Sequence, residues 1–189
     1  MIICHLGNGC SITAVKNGVS IDTSMGFTPL EGLIMGTRCG DIDPALIFYL
    51  EKKGYTRNKL EYTLTHLSGL KGISGISSDM RDLWYESQKN NQSAQLAIDL
   101  FTYRLIKYIG AYTAILSGLD MLVFTAGIGE NAWYIRQDVC KSLSYLGLKL
   151  NARKNHENNL IISDKNSSVT VMVIPTDEEI LIARETNKV

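Results

Sequence analysis

The sequence predicts an α/β fold, a mixed five-stranded sheet flanked by helices. Three observations lead there. The chain opens with three short β-favouring runs joined by glycine turns. A long helical pattern then separates these runs from two later apolar strands. Each later strand is followed by a helix. Hairpin-linked strands pair antiparallel, while strands joined by a helical crossover pair parallel, so this order implies a mixed sheet.

The elements follow in order. Ile2 to Leu6 is an apolar run that ends in Gly7-Asn8-Gly9. Ser11 to Val15 follows, then Asn17-Gly18, then Val19 to Thr23. Asn-Gly between β-favouring runs signals a hairpin, because a type I′ turn needs two residues at positive φ. Residues 24–43 are turn-rich, with Gly26, Pro29, Gly32, Gly36 and Gly40, yet they also hold Met25, Phe27, Leu30, Leu33, Ile34 and Met35. That composition predicts a long ordered loop, or a loop with a short helix, and such loops in compact domains are usually functional. Asp43-Pro44 opens a helix through about Leu50, with Asp as N-cap and Pro in the first helical position. Gly54 stops it. Thr56 starts the next helix, with Leu60, Leu64 and Leu67 on one face and Gly69 as its stop. Residues 68–78 read as a Gly/Ser-rich loop. Asp79 begins a short helix through about Ser87, and residues 88–92 read as a polar surface turn.

Ser93 to Ser117 is the longest helix. Its apolar positions recur at Leu96, Ala97, Leu100, Phe101, Leu105, Tyr108, Ile109, Tyr112, Ile115 and Leu116. Asp99, Arg104 and Lys107 exclude a membrane reading, and Gly118 ends the helix. Leu119 to Ala126 reads as a buried strand, followed by Gly127-Ile128-Gly129-Glu130-Asn131 and a helix through Leu146. Leu160 to Ser163 is a candidate short strand, and Val169 to Ile174 a firm one. Pro175-Thr176 leads into a helix from Asp177 to Glu185, with Thr176 and Glu179 as a capping box. This is the layout of a ribonuclease-H-like or actin-like domain.

Of 189 residues, 45% are hydrophobic and 20% charged, which suits an ordinary globular chain. Lys+Arg and Asp+Glu are 19 each, so the formal net charge is zero. Non-specific nucleic-acid binders and anionic-membrane binders need clustered positive charge, so neither is expected. A local basic pocket for a small anion remains compatible. Cys4, Cys10, Cys39 and Cys140 form no CxxC pair and stand at no metal-like spacing from a histidine. They read as reduced thiols in a cytoplasmic protein. Met1 to His5 is too brief an apolar start for a signal peptide and lacks a basic leader. The apolar stretch Leu119 to Ile128 is far short of a membrane span. A two-metal nuclease is set aside, because it needs carboxylates clustered on the central strands, and Asp22 is the one acid on the first three.

Two glycine turns carry most of the chemistry. Gly7-Asn8-Gly9 lies between strands, and Gly127-Ile128-Gly129 lies between a strand and a helix N-terminus. Glycines let backbone N–H groups converge and let a bulky anion approach, and a helix N-terminus adds partial positive charge. A plain turn explains either one alone; the pair in this fold order points to a phosphate chain. Neither matches a Walker A or GxGxxG pattern. In Gly36-Thr37-Arg38-Cys39-Gly40 a single arginine is held between glycines, which suits a carboxylate or a transferring phosphoryl group. A surface arginine is the commoner fate, and the ordered glycine-flanked setting is what sets Arg38 apart. Glu178 is free to meet a nucleotide-bound Mg²⁺ once Glu179 caps the helix, although a helix-start acid also explains both. His5, a strand histidine beside the first turn, is structural or donates to a phosphate oxygen. His66 and His156 read as surface residues.

Together these blocks resemble the acetate kinase family. The resemblance rests on His5-Leu6-Gly7-Asn8-Gly9 with Ser11, on Asp22 through Arg38, and on Ser68-Gly69-Leu70 through Ser78-Asp79-Met80-Arg81-Asp82. Phe124 through Asn131 and Pro175-Thr176 with Glu178-Glu179 complete it, in one register from residue 2 to about 186. The resemblance implies reversible, Mg²⁺-dependent phosphoryl transfer from ATP to acetate, giving acetyl phosphate and ADP. It implies a fold of the actin, hexokinase and Hsp70 superfamily, two duplicated ribonuclease-H-like domains with the active site between them. By that resemblance His5 to Gly9 is the phosphate-gripping hairpin. Asp79, Met80, Arg81 and Gly127, Ile128, Gly129, Glu130, Asn131 hold the nucleotide. Arg38 is the catalytic arginine that stabilises the transferring group, and Glu178 is the Mg²⁺-associated carboxylate.

The match is to the family's C-terminal domain, so residues 1–189 are expected to be one nucleotide-binding domain that lacks its N-terminal half. The chain alone is therefore expected to be inactive and to need that half as a partner. A homodimer is expected, because the family dimerises through this domain. The alternatives are a non-catalytic nucleotide-binding remnant and a propionate or butyrate kinase. Cys10 and Cys39 stand where the family commonly has serine, which leaves either thiol sensitivity near the site or inert buried thiols.

Overall fold

The computed structural model describes residues 1–176, 180, 183, 184, 186 and 187. Three strands open the chain: β1 (Ile2–Leu6), β2 (Cys10–Lys16) and β3 (Val19–Thr23). Asn17 and Gly18 both take positive φ, 52° and 81°, as the hairpin signal requires. β4 (Met121–Thr125) and β5 (Thr170–Val173) complete a five-stranded sheet in the order β3-β2-β1-β4-β5. β1 pairs antiparallel with β2 and parallel with β4, and β4 pairs parallel with β5. The mixed, ribonuclease-H-like sheet read from the sequence is present.

The parallel β1–β4 pair positions the site. His5 pairs with Thr125, so both strands end at the same level. The turns that follow them therefore leave the sheet side by side. Ligand sites of α/β sheets form at such carboxyl ends.

Strand alternation puts Ile2, Cys4 and Leu6 of β1 on one face with Ile12, Ala14, Leu122 and Phe124, all with no exposed surface. A long helix, α5 (Gln92–Leu116), covers that face. Before it come α1 (Ala45–Lys52), α2 (Arg57–His66), α3 (Gly69–Ser74) and α4 (Met80–Ser87). α1 starts one residue later than expected: Pro44 takes the cap place, and Asp43 Oδ1 accepts from Ala45 N at 2.9 Å. Leu60 and Leu64 are buried under α2, but Leu67 lies beyond its last turn and is exposed.

α3 is the main departure, since residues 68–78 were expected to be loop. Leu70 N and Lys71 N donate to the carbonyls of Met35 and Gly36 at 2.9 and 3.0 Å. The neighbouring segment, not helix propensity, sets this turn. Residues 24–43 themselves form an ordered loop without helix or strand. Its Asp41 accepts from Arg104 Nη1 at 2.9 Å and from Tyr108 OH at 2.8 Å, which ties the loop to the long helix.

That helix, α5 (Gln92–Leu116), is ~37 Å long at ~1.5 Å per residue. Asn91 Oδ1 accepts from Ser93 N and Ala94 N and starts it one residue earlier than expected. Ala94, Ala97, Ile98, Phe101, Leu105 and Ile109 face the core. Leu96, Leu100 and Ile115, also counted in the apolar period, are exposed. The helix carries two adjacent apolar stripes, and the sheet covers only one.

After β4 come α6 (Ala126–Asn131), α7 (Trp133–Ser142), a 3₁₀ turn (Ser144–Leu146) and α8 (Ala152–His156). The helix expected after Asn131 and through Leu146 is present as α7, which ends at Ser142 before the 3₁₀ turn, and Ala126 to Asn131 form a separate short helix ahead of it. Leu160 to Ser163 contributes isolated bridges, Ile161 to Met172 and Leu150 to Ser163, rather than a strand. Of the helix expected from Asp177 to Glu185, residues Ile180, Ala183 and Arg184 are helical, while Glu178 and Glu179 lie outside the described residues. No helix among the described residues is long and apolar enough to cross a membrane.

Candidate functional site

The site is built from three segments. The first is the Gly7-Asn8-Gly9 turn. Gly36 N donates to Asn8 O at 3.0 Å, and a side chain on Gly36 would overlap the Asn8 amide. Gly36 is therefore what lets the loop press against the turn. That loop delivers Arg38, whose guanidinium stands against Gly9. A β-carbon at Gly9 would be 3.6 Å from Arg38 Nη1. Arg38 Nη1 donates to Pro29 O at 3.1 Å and to Met35 Sδ at 3.4 Å, so the half-buried side chain is held without a carboxylate partner among the described residues.

The second segment is the start of α4. Asp79 caps the helix, its Oδ1 accepting from Arg81 N at 2.8 Å. Its carboxylate also takes the Arg81 fork, from Nε at 3.1 Å and from Nη2 at 2.6 Å. That pairing holds the Asp79 carboxyl below the usual carboxylate range. Met80 O accepts from Tyr134 OH at 3.3 Å, which joins α4 to α7.

The third segment is α6. Gly127, Ile128 and Gly129 were expected to precede a helix; they are instead part of one, entered through Ala126 at φ +63°. The helix start, whose first amides have no intrahelical acceptor, thus lies at Ala126 and Gly127, ahead of Gly129. Asn131 Nδ2 donates back to Gly127 O at 2.9 Å and closes the turn. Gly129 is buried against the end of β4, where a β-carbon would lie 3.3 Å from the Phe124 carbonyl carbon.

The three segments enclose a cavity of about 840 Å³. Gly7, Asn8, Asp79, Met80, Arg81, Gly127, Ile128 and Asn131 line it, together with Ser78, Trp84, Ala132, Trp133 and Tyr134. That volume suits a small organic ligand. Eight residues singled out from the sequence thus meet, although they come from three distant parts of the chain. The aromatic wall was missed. Trp84 stacks on Tyr134 with ring centroids 3.8 Å apart and planes 9° apart, and Trp133 meets both edge-on at 5.9 Å. Trp84 and Tyr134 sit on separate helices, and no local pattern joins them.

Other candidates are placed differently. His5 is half-buried on β1. The Leu6 side chain is wholly in the core, so only its backbone is available to a ligand. Gly9 and Arg38 stand beside the cavity, not in its wall. The Glu130 carboxylate is occupied: Oε1 accepts from Thr176 N at 3.0 Å and from Thr176 Oγ1 at 3.4 Å. Glu178 lies outside the described residues. Among the described residues no group of three or more His, Cys, Asp or Glu is placed to hold a metal ion.

Of the two thiols near the site, Cys10 is buried and donates to Gly7 O at 3.1 Å. Burial pushes its pKa up to about 12, so it carries almost no thiolate at neutral pH. Burial also raises Cys39. Iodoacetamide at mildly alkaline pH is therefore expected to leave Cys10 unmodified in the folded chain and to label it in concentrated urea, as read by peptide mass spectrometry. Native-state labelling at the rate of an exposed thiol would contradict the buried, inert assignment.

Comparison with known proteins shows the family and the fold. The model described as the Acetokinase family matches residues 1–184. An acetate kinase of Dictyoglomus turgidum is 57% identical over 192 aligned residues, covering 100% of this chain and 47% of that protein. A crystal structure of Porphyromonas gingivalis acetate kinase superposes with a TM-score of 0.93 at 42% identity, covering 99% of this chain and 48% of that one. A propionate kinase from Francisella tularensis subsp. tularensis superposes with a TM-score of 0.92 at 46% identity, covering 97% and 48%. The chain spans about half the length of the curated relatives it matches. With the family's model matched along nearly all of the chain, and the sheet and turns in the order just described, the chain belongs to the acetokinase family.

Proposed function

We propose that this chain is the nucleotide-binding, C-terminal half of an acetate kinase, transferring a phosphoryl group between ATP and acetate once joined by the half its relatives carry. The observation that supports this best is the cavity in which both glycine turns and the Asp79 block converge beside Arg38. Its donor set fits a nucleotide. Backbone amides of the Gly7 turn and of the α6 start suit phosphate oxygens, and the Trp84, Trp133 and Tyr134 wall suits a base.

Phosphoryl transfer needs positioning and charge stabilisation more than covalent help. The glycine turns orient the phosphate chain. Arg38 donates to the oxygens on which charge builds up, since its fork is fixed and stays protonated. Asp79 and Arg81 neutralise each other, so they shape the entrance without adding net charge. Glu178, outside the described residues, is the carboxylate that would hold a phosphate-bound Mg²⁺, and the ion would supply neutralising charge there. Mixing the chain with a separately produced N-terminal half of an acetate kinase is expected to restore acetate-dependent acetyl phosphate formation. Nucleotide binding without any restored turnover would favour a non-catalytic remnant.

A second reading, a propionate kinase, rests on the Francisella propionate kinase at 46% identity, below the 57% of the Dictyoglomus acetate kinase. Comparing acetate with propionate in the reconstituted enzyme decides between them.

The proposal extends to a homodimer. α1 reads Ala-Leu-Ile-Phe-Tyr-Leu-Glu-Lys and buries none of its residues, with Phe48 64% and Tyr49 56% exposed. An apolar helix left so open marks an interface. A second copy is the proposed occupant, so Phe48→Asp is expected to shift the chain from dimer to monomer in sedimentation equilibrium with its melting curve otherwise intact. A parent chain that already sediments as a monomer would remove this part of the proposal.

A further inference from the structure

Arg136 of α7 has no exposed surface, yet it carries a guanidinium. A buried charge is costly unless it is fully hydrogen-bonded. Each of its nitrogens donates, and each acceptor is neutral. Nη1 reaches Gly129 O and Glu130 O, both at 2.8 Å. Nε reaches Asn155 Oδ1 at 2.8 Å. Nη2 reaches Asn155 O at 2.7 Å and Asn158 Oδ1 at 2.5 Å. Burial lowers its pKa to about 10, so it remains a cation at neutral pH.

Gly129 and Glu130 belong to the last turn of α6, where carbonyls lack intrahelical donors. α6 has six residues and starts from a strained Ala126, so it is too short to hold its own shape. Arg136 supplies the missing donors and connects them to Asn155 and Asn158, in and just beyond α8. Asn155 Nδ2 also donates to Trp133 O at 2.9 Å, so the same clamp reaches the aromatic wall of the cavity.

We propose that Arg136 is a positioning residue for nucleotide binding: its buried fork fixes the shape of α6, and so the placement of Gly127, Ile128 and Asn131 in the cavity. The proposal rests on the nucleotide reading of that cavity. Lysine would keep the charge but lacks the fork needed to span α6 and the Asn155 segment together.

Two variants of the full chain test it. In Arg136→Lys the Mg·ADP affinity is expected to fall about tenfold or more, the size of a lost charge-assisted hydrogen bond. Amides 127–131 are expected to exchange faster with solvent, while Leu122 to Phe124 of β4 keep the parent rates. Asn158→Gly is the milder variant. Asn158 is exposed and sits at φ +54°, so glycine keeps the backbone and removes only the Oδ1 acceptor. It is expected to fold as the parent does and to weaken Mg·ADP by a smaller factor. If Arg136→Lys fails to fold, Asn158→Gly decides. A folded Arg136→Lys with a lower melting temperature but parent Mg·ADP affinity and parent exchange at 127–131 overturns the proposal, because Arg136 is then structural only. If the parent itself binds no Mg·ADP, the nucleotide reading fails, and the exchange rates alone decide whether Arg136 holds α6.

Discussion

Replacing Arg38 by alanine is expected to lower turnover of the reconstituted kinase by about 10³-fold or more, while Mg·ADP affinity stays within a few fold of the parent. The split follows from geometry. Arg38 stands against Gly9, and the residues that line the nucleotide cavity do not include it. Its loss therefore leaves ground-state nucleotide contacts in place and removes a cation needed where charge develops during transfer. Steady-state kinetics with calorimetric titration of the same variant separates the two effects. Near-normal turnover would remove Arg38 from the reaction; lost affinity with retained turnover would place it in the nucleotide pocket instead.

Gly69→Ala is expected to be the most damaging single methyl addition near the site, costing about 3 kcal/mol or more in urea denaturation. Gly69 takes φ +63°, where L side chains are strained. A β-carbon there would overlap the Met35 carbonyl oxygen and come within 2.7 Å of Arg38 O. Both obstacles are backbone, so no rotamer change relieves them. The contact also lies on the Arg38 loop, whose Met35 and Gly36 carbonyls start α3. Reconstituted Gly69→Ala is thus expected to lose turnover even at temperatures where it is folded. Parent stability and parent turnover would mean that α3 and the loop do not hold Arg38 in place. Gly18→Ala is a control for the strain alone, since φ there is +81° and a β-carbon would meet nothing within 4 Å.

How much of this was legible in the sequence depended on whether the cause was local. The Asn17-Gly18 hairpin and the Thr56 and Asp79 helix starts rest on a few adjacent atoms, and the residues that make them are visible in order. α3 was not legible, because its first amides are satisfied by Met35 and Gly36, more than thirty positions away. The exposed Leu96 and Leu100 share a helical period with buried Ala97 and Phe101, and periodicity alone does not say which stripe the sheet will cover. Within the site, the position of the two glycine turns was legible because each follows a strand and the two strands pair, and Arg38 stood out only by its glycine-flanked loop. Arg136 was not, since a lone arginine in an amphipathic helix reads as a surface residue. Its buried acceptors come from α6 and from Asn155 and Asn158. The Trp84–Tyr134 stack was missed for the same reason. The Glu130 contact to Thr176, beyond the end of β5, was not legible either, because it joins residues 46 positions apart.

Calorimetric titration of the purified chain with Mg·ADP tests the central claim most directly, with Gly127→Leu as its partner experiment. No neighbouring atom lies within 4 Å of a β-carbon at Gly127, and Gly127 lines the cavity, so the larger side chain is compatible with the fold but competes with the ligand. Saturable, Mg²⁺-dependent binding that Gly127→Leu abolishes, without a change in circular dichroism, is the expected result. A folded parent chain that gives no saturable heat, or binding that Gly127→Leu leaves untouched, would contradict the assignment of this cavity to a nucleotide.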